Sequence, residues 1–142
     1  MTTIAYRDGV LASDSQATEC GLKSSVQKIF RLKDCDIAIT GELYTAMKFV
    51  QWYGNRKEDV TFESDDDFEC IIFADGKLYS VDRNKILIEL RLFEGSYFAF
   101  GSGRDYALGA MKMGATAVEA VKIAAEFDSS TGGDIQTASN SS

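Results

Sequence analysis

The stretch that decides the fold is Thr2-Thr3-Ile4-Ala5-Tyr6, followed by Asp8-Gly9 and then Val10-Leu11-Ala12. Two runs of β-forming residues flank Asp-Gly, the pair that two-residue hairpin turns prefer, so the sequence predicts an N-terminal β-hairpin. Removal of Met1 would leave Thr2 with a free α-amine beside its own hydroxyl. A nucleophile and a base on one residue is an established form of nucleophilic catalysis.

The next part of the chain predicts two more strands and a helix. Residues 14–25 are polar and are expected to form a connection. Residues 26–32 alternate in polarity as a strand does, and residues 37–40 form a second short apolar run that ends at Gly41. From residue 42 the apolar residues recur with a helical period, which predicts a helix that ends near residue 55.

A second block of strands and two helices complete the pattern. Asp75-Gly76 lies between residues 70–74 and 77–81, which predicts another hairpin, extended by strands at 86–92 and 97–100. Helices are expected at 104–113 and 116–127, the second opened by a Thr116/Glu119 capping box, before turns at 128–133 and a final short strand. We find no linker or repeat, which predicts a single domain over residues 1–142. Two antiparallel sheets with helices outside them would bury both strand faces, so we expect an α+β, four-layer α/β/β/α sandwich.

Composition excludes several classes of function. A net charge of −7 argues against a nucleic-acid partner. The chain has no histidine, which excludes Ser-His-Asp and Cys-His catalysis and histidine-bound zinc, and we expect neither a metal nor another cofactor. Three cysteines without CxxC spacing predict reduced thiols and a cytoplasmic location. Neither a signal peptide nor a membrane span is predicted, and the acidic run at residues 65–67 is expected to be a solvated loop.

Six local patterns occur in order along the chain, most of them at the start or end of a predicted strand. They lie at residues 2–4, 13–18, 26–32, 40–41, 101–107 and 128–133. In order and content they resemble the proteasome β-subunit family of N-terminal-nucleophile hydrolases, and most closely its bacterial HslV-type peptidases. The resemblance extends from residue 2 to about residue 135.

The resemblance implies a set of site residues. The residues that match the family's catalytic positions are Thr2, Asp14, Lys28, Gly41, Ser102, Asp128 and Thr131, the last where the family has a serine. The residues that match its substrate-binding positions are Ala17, Thr18, Val26, Ile39, Leu43 and Met47. The pocket for the residue before the cut bond is implied to be apolar, and Thr18 is implied to align the substrate by strand pairing.

Physical chemistry gives these residues coherent roles. An α-amine has an ordinary pKa of roughly 7.7–8.0, and a neighbouring lysine ammonium disfavours a second positive charge. Lys28 would therefore keep the Thr2 amine neutral and able to accept a proton, while Asp14 would orient Lys28. The Gly41 N–H would face the developing oxyanion, although the adjacent Glu42 would disturb it if its carboxylate pointed inward.

The expected function is that of a threonine-type endopeptidase in a homo-oligomeric ring, acting on protein or peptide, with an ATP-dependent unfoldase as a candidate partner. Two alternatives stay open: a catalytically silent ring or scaffold subunit of the same fold, and an amidase of the same superfamily that acts on small molecules. Apolar residues of two predicted helices are candidates for packing between subunits, with ordinary core packing as the alternative for much of the set, namely Leu43, Met47, Val50, Met111 and Met113.

Overall fold

The computed structural model describes residues 2–55, 68–82, 88–91 and 96–139. The acidic run at residues 65–67 and both ends of the predicted strand 86–92 lie outside the described residues. The elements, in chain order, are β1 (Thr3–Arg7), β2 (Val10–Ser13), β3 (Gln16–Glu19), β4 (Leu22–Ser25), β5 (Ile29–Arg31), β6 (Asp36–Gly41), α1 (Leu43–Asn55), β7 (Phe68–Ala74), β8 (Lys77–Asp82), β9 (Ile88–Leu90), β10 (Tyr97–Gly101), α2 (Arg104–Lys112), α3 (Ala117–Phe127) and β11 (Gln136–Ser139).

Two-residue turns with positive φ at both positions close three hairpins. Asp8-Gly9 and Asp75-Gly76 join β1 to β2 and β7 to β8, which confirms both predicted hairpins. The third turn is Cys20-Gly21, with φ of 51° and 78°, and it joins β3 to β4. The expectation of a plain connection over residues 14–25 was therefore wrong. The β3–β4 hairpin could not be predicted from the sequence, because all of β4 is exposed and shows no alternation of apolar residues.

The predicted strand at residues 26–32 is shorter than expected. Strand pairing starts only at Ile29 and ends at Arg31. The Lys28 backbone N–H donates to the side chain of Gln136 rather than to a neighbouring strand. A side-chain acceptor thus satisfies a backbone donor that the alternating pattern assigned to a sheet.

The strands form two larger antiparallel sheets. One has the strand order β10-β1-β2-β11, and the other has the order β5-β6-β7-β8-β9. In the first sheet Thr3 pairs with Gly101 and Ser13 pairs with Gln136. This register brings residues from both ends of the chain to the start of β1.

Three apolar clusters separate four layers. Between the sheets lie Ile4, Leu11, Ile71 and other buried residues. Phe49 of α1 packs on the outer face of the five-stranded sheet, and Val121 of α3 belongs to a cluster on the outer face of the other sheet. The predicted α/β/β/α sandwich is confirmed.

The helices differ in how their apolar residues are used. Val50 and Met111 are buried in the core, so their assignment to a packing surface between subunits was wrong. Met113 and Met47 are exposed, at 88% and 41% of their surface.

The Thr116/Glu119 capping box predicted for α3 is present. Within the described part of the chain, no helix is long and apolar enough to cross a membrane.

Candidate active site

The two threonines at the start of β1 are fully buried, and Asp14 lies beside them. Thr3 N donates to Asp14 Oδ1 at 3.1 Å, and Asp14 N donates to Thr3 O at 3.3 Å. Asp14 directly follows β2, which pairs with β1 through the Asp8-Gly9 turn. The N-terminal hairpin therefore places the first predicted acid next to the predicted nucleophile.

Asp14 and Lys28 form a buried ion pair. Lys28 Nζ lies 3.0 Å from Asp14 Oδ1, and both side chains are 0% exposed. Asp14 Oδ2 accepts from the backbone N–H groups of Gly132 at 3.0 Å and Gln16 at 3.3 Å. Burial of a charge is tolerated where it is paired and hydrogen-bonded, and both conditions hold for this carboxylate.

The buried environment of Lys28 lowers the pKa of its ammonium group. Burial lowers the pKa of Lys28, while the charge and hydrogen bond of Asp14 and the charge of Asp128 oppose that shift without cancelling it. An ammonium in this position favours a neutral amine nearby, because a second positive charge in the same buried space is disfavoured.

A second carboxylate, that of Asp128, accepts hydrogen bonds from Ser102 and Thr131, the two predicted catalytic residues that carry a hydroxyl besides Thr2. Ser102 Oγ and Thr131 Oγ1 donate to Asp128 Oδ2 at 2.6 and 2.7 Å, and Ser130 N donates to Oδ1 at 3.1 Å. Burial raises the pKa of Asp128, but hydrogen bonds from Ser102, Thr131 and Ser130 together outweigh it and hold the pKa below its usual value. The carboxylate is therefore ionised at neutral pH.

The two hydroxyls bound to Asp128, those of Thr131 and Ser102, also lie close to Thr3 and Thr2 at the start of β1. Thr3 Oγ1 and Thr131 Oγ1 lie 2.7 Å apart, and Ser102 Oγ lies 3.4 Å from the carbonyl oxygen of Thr2. Because the Thr131 proton is directed at Asp128, the Thr3 hydroxyl is the donor to Thr131. Apart from Gly41, the structure thus brings the five other predicted catalytic residues together around Thr2 and Thr3.

The Thr2 hydroxyl has no hydrogen bond to any described residue, although it is buried. An unpaired buried hydroxyl costs about 1–3 kcal/mol, so such an atom calls for an explanation. In the chain that carries residue 1, the Thr2 nitrogen belongs to a peptide bond.

The two glycines of the Gly101-Ser102-Gly103 motif are needed because the backbone there lies very close to Thr2 and Thr3. A Cβ on Gly101 would collide with the Thr2 carbonyl, and a Cβ on Gly103 would collide with the Thr3 hydroxyl. Gly101 also has a φ of 94°, which side-chain-bearing residues rarely adopt. These glycines let the β10–α2 junction carry Ser102 to Thr2.

Gly41, the seventh predicted catalytic residue, ends β6, where its φ is 94°. Its strand is tied to the ion pair because Ile39 N donates to Lys28 O at 2.9 Å. Gly41 lies two residues further along, or roughly 7 Å at the usual strand rise. Its place in an oxyanion hole stays a prediction.

Glu42 uses its carboxylate to cap α1. It accepts from Thr45 N at 2.7 Å and from Tyr44 N at 3.3 Å. Hydrogen bonds from the side chain and backbone of Thr45 lower the pKa of Glu42. The carboxylate is thus bound to the helix end, where the helix dipole favours a negative charge.

The predicted substrate-binding residues fall into two groups. Ala17 and Thr18 lie on β3, and Val26 follows β4, so these three belong to one hairpin. The other three lie on β6 and α1: Ile39 is fully buried, Leu43 is half-buried and Met47 is exposed. A pocket formed between the groups stays a prediction.

Sequence reasoning missed three polar residues of this region. Thr3 binds Asp14 and Thr131, and Gln16 Nε2 donates to Ser129 O at 2.8 Å. Gln136 binds the backbone on both sides of Lys28. Thr3 and Gln16 lie within quoted motifs, but nothing in their spacing reveals their partners, and Gln136 lies in a predicted short strand.

Comparisons with known proteins identify the fold. No protein-family model and no curated protein sequence matches the chain. Among solved structures it is similar to BPH from Thiobacillus denitrificans in complex with epoxomicin, with a TM-score of 0.71, 22% identity and coverage of 99% of both chains. A second BPH structure has a TM-score of 0.71 at 23% identity and covers 96% of this chain and 95% of that one.

HslV from Trypanosoma brucei is a further structural neighbour, with a TM-score of 0.70 and 17% identity over 98% of this chain and 99% of that chain. These similarities establish that the chain has the HslV-type, proteasome-like fold. The resemblance drawn from the sequence is thereby confirmed at the level of the fold.

Proposed function

We propose that the protein is a threonine-type endopeptidase whose nucleophile is Thr2 after removal of Met1. The observation that carries the proposal is the buried Asp14–Lys28 ion pair, which is bonded to Thr3, together with a buried Thr2 hydroxyl that has no hydrogen bond to any described residue. An ion pair withdrawn from water is costly, and a general structural role would not require it at the start of this strand. The fold shared with proteasome-like proteins supports the same conclusion.

The proposed reaction has two halves. The free Thr2 amine takes the proton of its own hydroxyl, and Thr2 Oγ1 attacks the peptide carbonyl carbon. The Gly41 N–H stabilises the tetrahedral oxyanion, whose collapse breaks the C–N bond, releases the amine product with the transferred proton and leaves an ester on Thr2. Water, activated by the same amine, then hydrolyses the ester and regenerates the enzyme.

The other residues act on the base. The Lys28 ammonium keeps the amine neutral at working pH, and Asp14 holds that ammonium in place. Ser102, Asp128 and Thr131 position the amine once Met1 is gone. Ser102 already lies 3.4 Å from the Thr2 carbonyl oxygen, which supports this assignment.

The deciding experiment compares the wild-type protein with Thr2→Ala. Intact mass should show that the wild-type chain has lost one methionine residue, and a fluorogenic peptide should be cleaved. An epoxyketone inhibitor should label the wild-type chain at Thr2. Thr2→Ala should fold and assemble normally but neither cleave nor be labelled, whereas unchanged turnover in Thr2→Ala would refute the assignment.

A catalytically silent subunit is the second candidate, and one observation favours it. In the chain that still carries residue 1, Thr2 is 0% exposed and its nitrogen is an amide, so this form cannot act. Retention of Met1 in the purified protein, together with absence of peptide cleavage, would support the silent role. Cleavage of small amides but not of peptides would instead support an amidase.

We propose an apolar preference for the residue before the cut bond. The implied pocket residues Ala17, Val26, Ile39, Leu43 and Met47 carry no charge. Burying an unpaired arginine or aspartate there would cost several kcal/mol, whereas apolar residues would differ by only roughly 1–3 kcal/mol. A peptide library should show cleavage after Leu, Phe or Tyr, and a dominant preference for Arg or Asp would contradict this pocket.

We further propose a homo-oligomeric ring in the cytoplasm, with an ATP-dependent unfoldase as a candidate partner. Exposed Met113 and the stacked, exposed pair Tyr106 and Phe127 on α2 and α3 offer apolar surface for self-association. The cysteines Cys20, Cys35 and Cys70 are free thiols, as in a reducing compartment. Light scattering that finds a monomer at micromolar concentration would contradict the ring.

A further inference from the structure

The side chain of Gln136 holds the short segment that carries Lys28. Its Oε1 accepts from Lys28 N at 2.7 Å and from Ile29 N at 2.9 Å. Its Nε2 donates to Val26 O at 2.8 Å. One carboxamide thus binds the backbone on both sides of Lys28, with its oxygen and its nitrogen both used.

This segment needs such support because it belongs to no strand. β4 ends at Ser25 and β5 begins at Ile29, so residues 26–28 lack a regular ladder. Lys28 O accepts from Ile39 N on β6, which fixes one side of the segment. The Gln136 side chain binds the Lys28 N–H and thereby completes the backbone hydrogen bonding of this residue.

The backbone of Gln136 is tied to the other half of the ion pair. Gln136 pairs with Ser13 in the register of β11 and β2, and Asp14 directly follows Ser13. One residue therefore connects the backbone of Lys28 to the strand from which Asp14 extends. The 3.0 Å distance between Lys28 Nζ and Asp14 Oδ1 depends on both placements.

We propose that Gln136 is a positioning residue of the active site, which sets the Lys28 ammonium against Asp14 and, through Lys28, tunes the Thr2 amine as a base. This inference rests on the proposed function for its catalytic consequence. The geometric part, that Gln136 fixes Lys28, stands on the three hydrogen bonds alone.

The surroundings of Gln136 make a clean substitution feasible. Gln136 lines a groove of about 430 Å³ between β5 and β11, together with Ile29, Arg31 and neighbouring residues. A methionine has nearly the length and volume of glutamine, so Gln136→Met should fit without overpacking while it removes all three hydrogen bonds. Gln51→Met, on the exposed face of α1, is the matched control.

The first measurement is the pH dependence of peptide cleavage by the processed protein. The charged groups around the start of β1 are Lys28, Asp14 and Asp128, and the charges of both carboxylates act on Lys28. A displaced Lys28 would disfavour the protonated amine less, so the acidic limb of kcat/KM in Gln136→Met should move to higher pH. We expect kcat to fall about 10-fold or more with KM within about two-fold, as misplacement of a catalytic group predicts.

The second measurement does not depend on catalysis. NMR of protein with ¹³Cε-labelled lysine should show the Lys28 resonance titrating closer to the ordinary lysine pKa in Gln136→Met, and hydrogen exchange at the Lys28 and Ile29 amides should accelerate. Gln136→Glu keeps the acceptor for both amides, loses the donor to Val26 and adds a negative charge, so it should show slower exchange at these amides than Gln136→Met. Gln136→Leu, which also removes all three hydrogen bonds, replaces Gln136→Met if that variant fails to fold.

The outcomes separate the two proposals. Failure of the wild-type protein to cleave peptides would refute the proposed function, while the NMR comparison would still decide whether Gln136 holds Lys28. An unchanged Lys28 titration in Gln136→Met would overturn the positioning role. So would a fall in activity of the same size in Gln51→Met, or a loss of activity with no movement of the acidic limb.

Discussion

Two carboxylates flank the threonines at the start of β1, and their environments are opposites. Asp14 is 0% exposed and is bound by one ammonium and by backbone N–H groups. Asp128 is partly exposed and is bound chiefly by the hydroxyls of Ser102 and Thr131. The first belongs to the interior between rigid strands, whereas the second lies at the end of α3, where the chain leaves the helix.

Because of this difference in burial, we expect changes at Asp14 to affect stability and changes at Asp128 to leave stability nearly unchanged. A buried carboxylate that loses the cation paired with it keeps its desolvation cost, so the Asp14 side of the site cannot be changed without affecting stability. A partly exposed carboxylate can be rehydrated when its partners are removed, so the Asp128 side can be changed with little effect on stability. The following predictions test this separation, from the largest effect to the smallest.

Lys28→Met should give the largest effect. It leaves the Asp14 carboxylate buried without a cation, which should lower the free energy of unfolding by about 3–5 kcal/mol and abolish peptide cleavage. Denaturant unfolding and a fluorogenic assay measure the two effects. The control is Lys33→Met, at an exposed loop lysine, which should change neither.

Adding Asp14→Asn to Lys28→Met sharpens this test. The double variant has no buried charge left at the pair and should regain part of the lost stability, but it should stay inactive. A double variant less stable than Lys28→Met would show that the two side chains stabilise the fold independently rather than as a pair.

Asp128→Asn should give an intermediate effect, confined to activity. The free energy of unfolding should change by less than about 1 kcal/mol, because the side chain is partly exposed. The kcat should fall by roughly 10- to 100-fold as the charge beside the amine is lost and its position relaxes. Asp105→Asn, at a highly exposed position on α2, is the matched control, and equal stability losses in Asp128→Asn and Lys28→Met would refute the separation.

The smallest effect should be a pH dependence of stability at Asp128. Its pKa is held below the usual 3.8, so the folded state gains stability from this group above that pH and loses it as the pH falls through the lowered pKa. The Tm difference between wild type and Asp128→Asn should therefore narrow between about pH 5 and pH 2. A difference that widens toward acid pH would contradict the direction of the shift.

Much of this fold could be predicted because its signals are local. Asp8-Gly9 and Asp75-Gly76 specify turn geometry by themselves, and the Thr116/Glu119 box specifies a helix start. The Cys20-Gly21 turn escaped because cysteine is an unusual residue at a positive φ, and because the exposed β4 has no apolar face to reveal it. Sequence patterns fail to predict the secondary structure of residues whose conformation is set by tertiary contacts rather than by their own residue type.

The sequence predicted which residues to examine at the start of β1, but it did not predict the hydrogen bonds that connect them. Asp14 and Lys28 were identified, and the structure brings them together. Neither the Thr3 contact with Thr131 nor the binding of the Lys28 segment by Gln136 leaves any trace in spacing. Both contacts join residues more than a hundred positions apart, and only the pairing of β1 with β10 and of β2 with β11 creates them.

The three two-residue turns also bear on the order in which the chain folds. Hairpins closed by such turns involve only near neighbours and can form within microseconds, whereas pairing of β1 with β10 must close a loop of most of the chain. We expect pulse-labelled hydrogen exchange to protect the β7–β8 amides before those of β10. Protection of β10 first would contradict this order. On the proposed function, the site needs Ser102 at Thr2, so the ability to cut peptides would be acquired last, and a half-folded chain would be harmless to its neighbours.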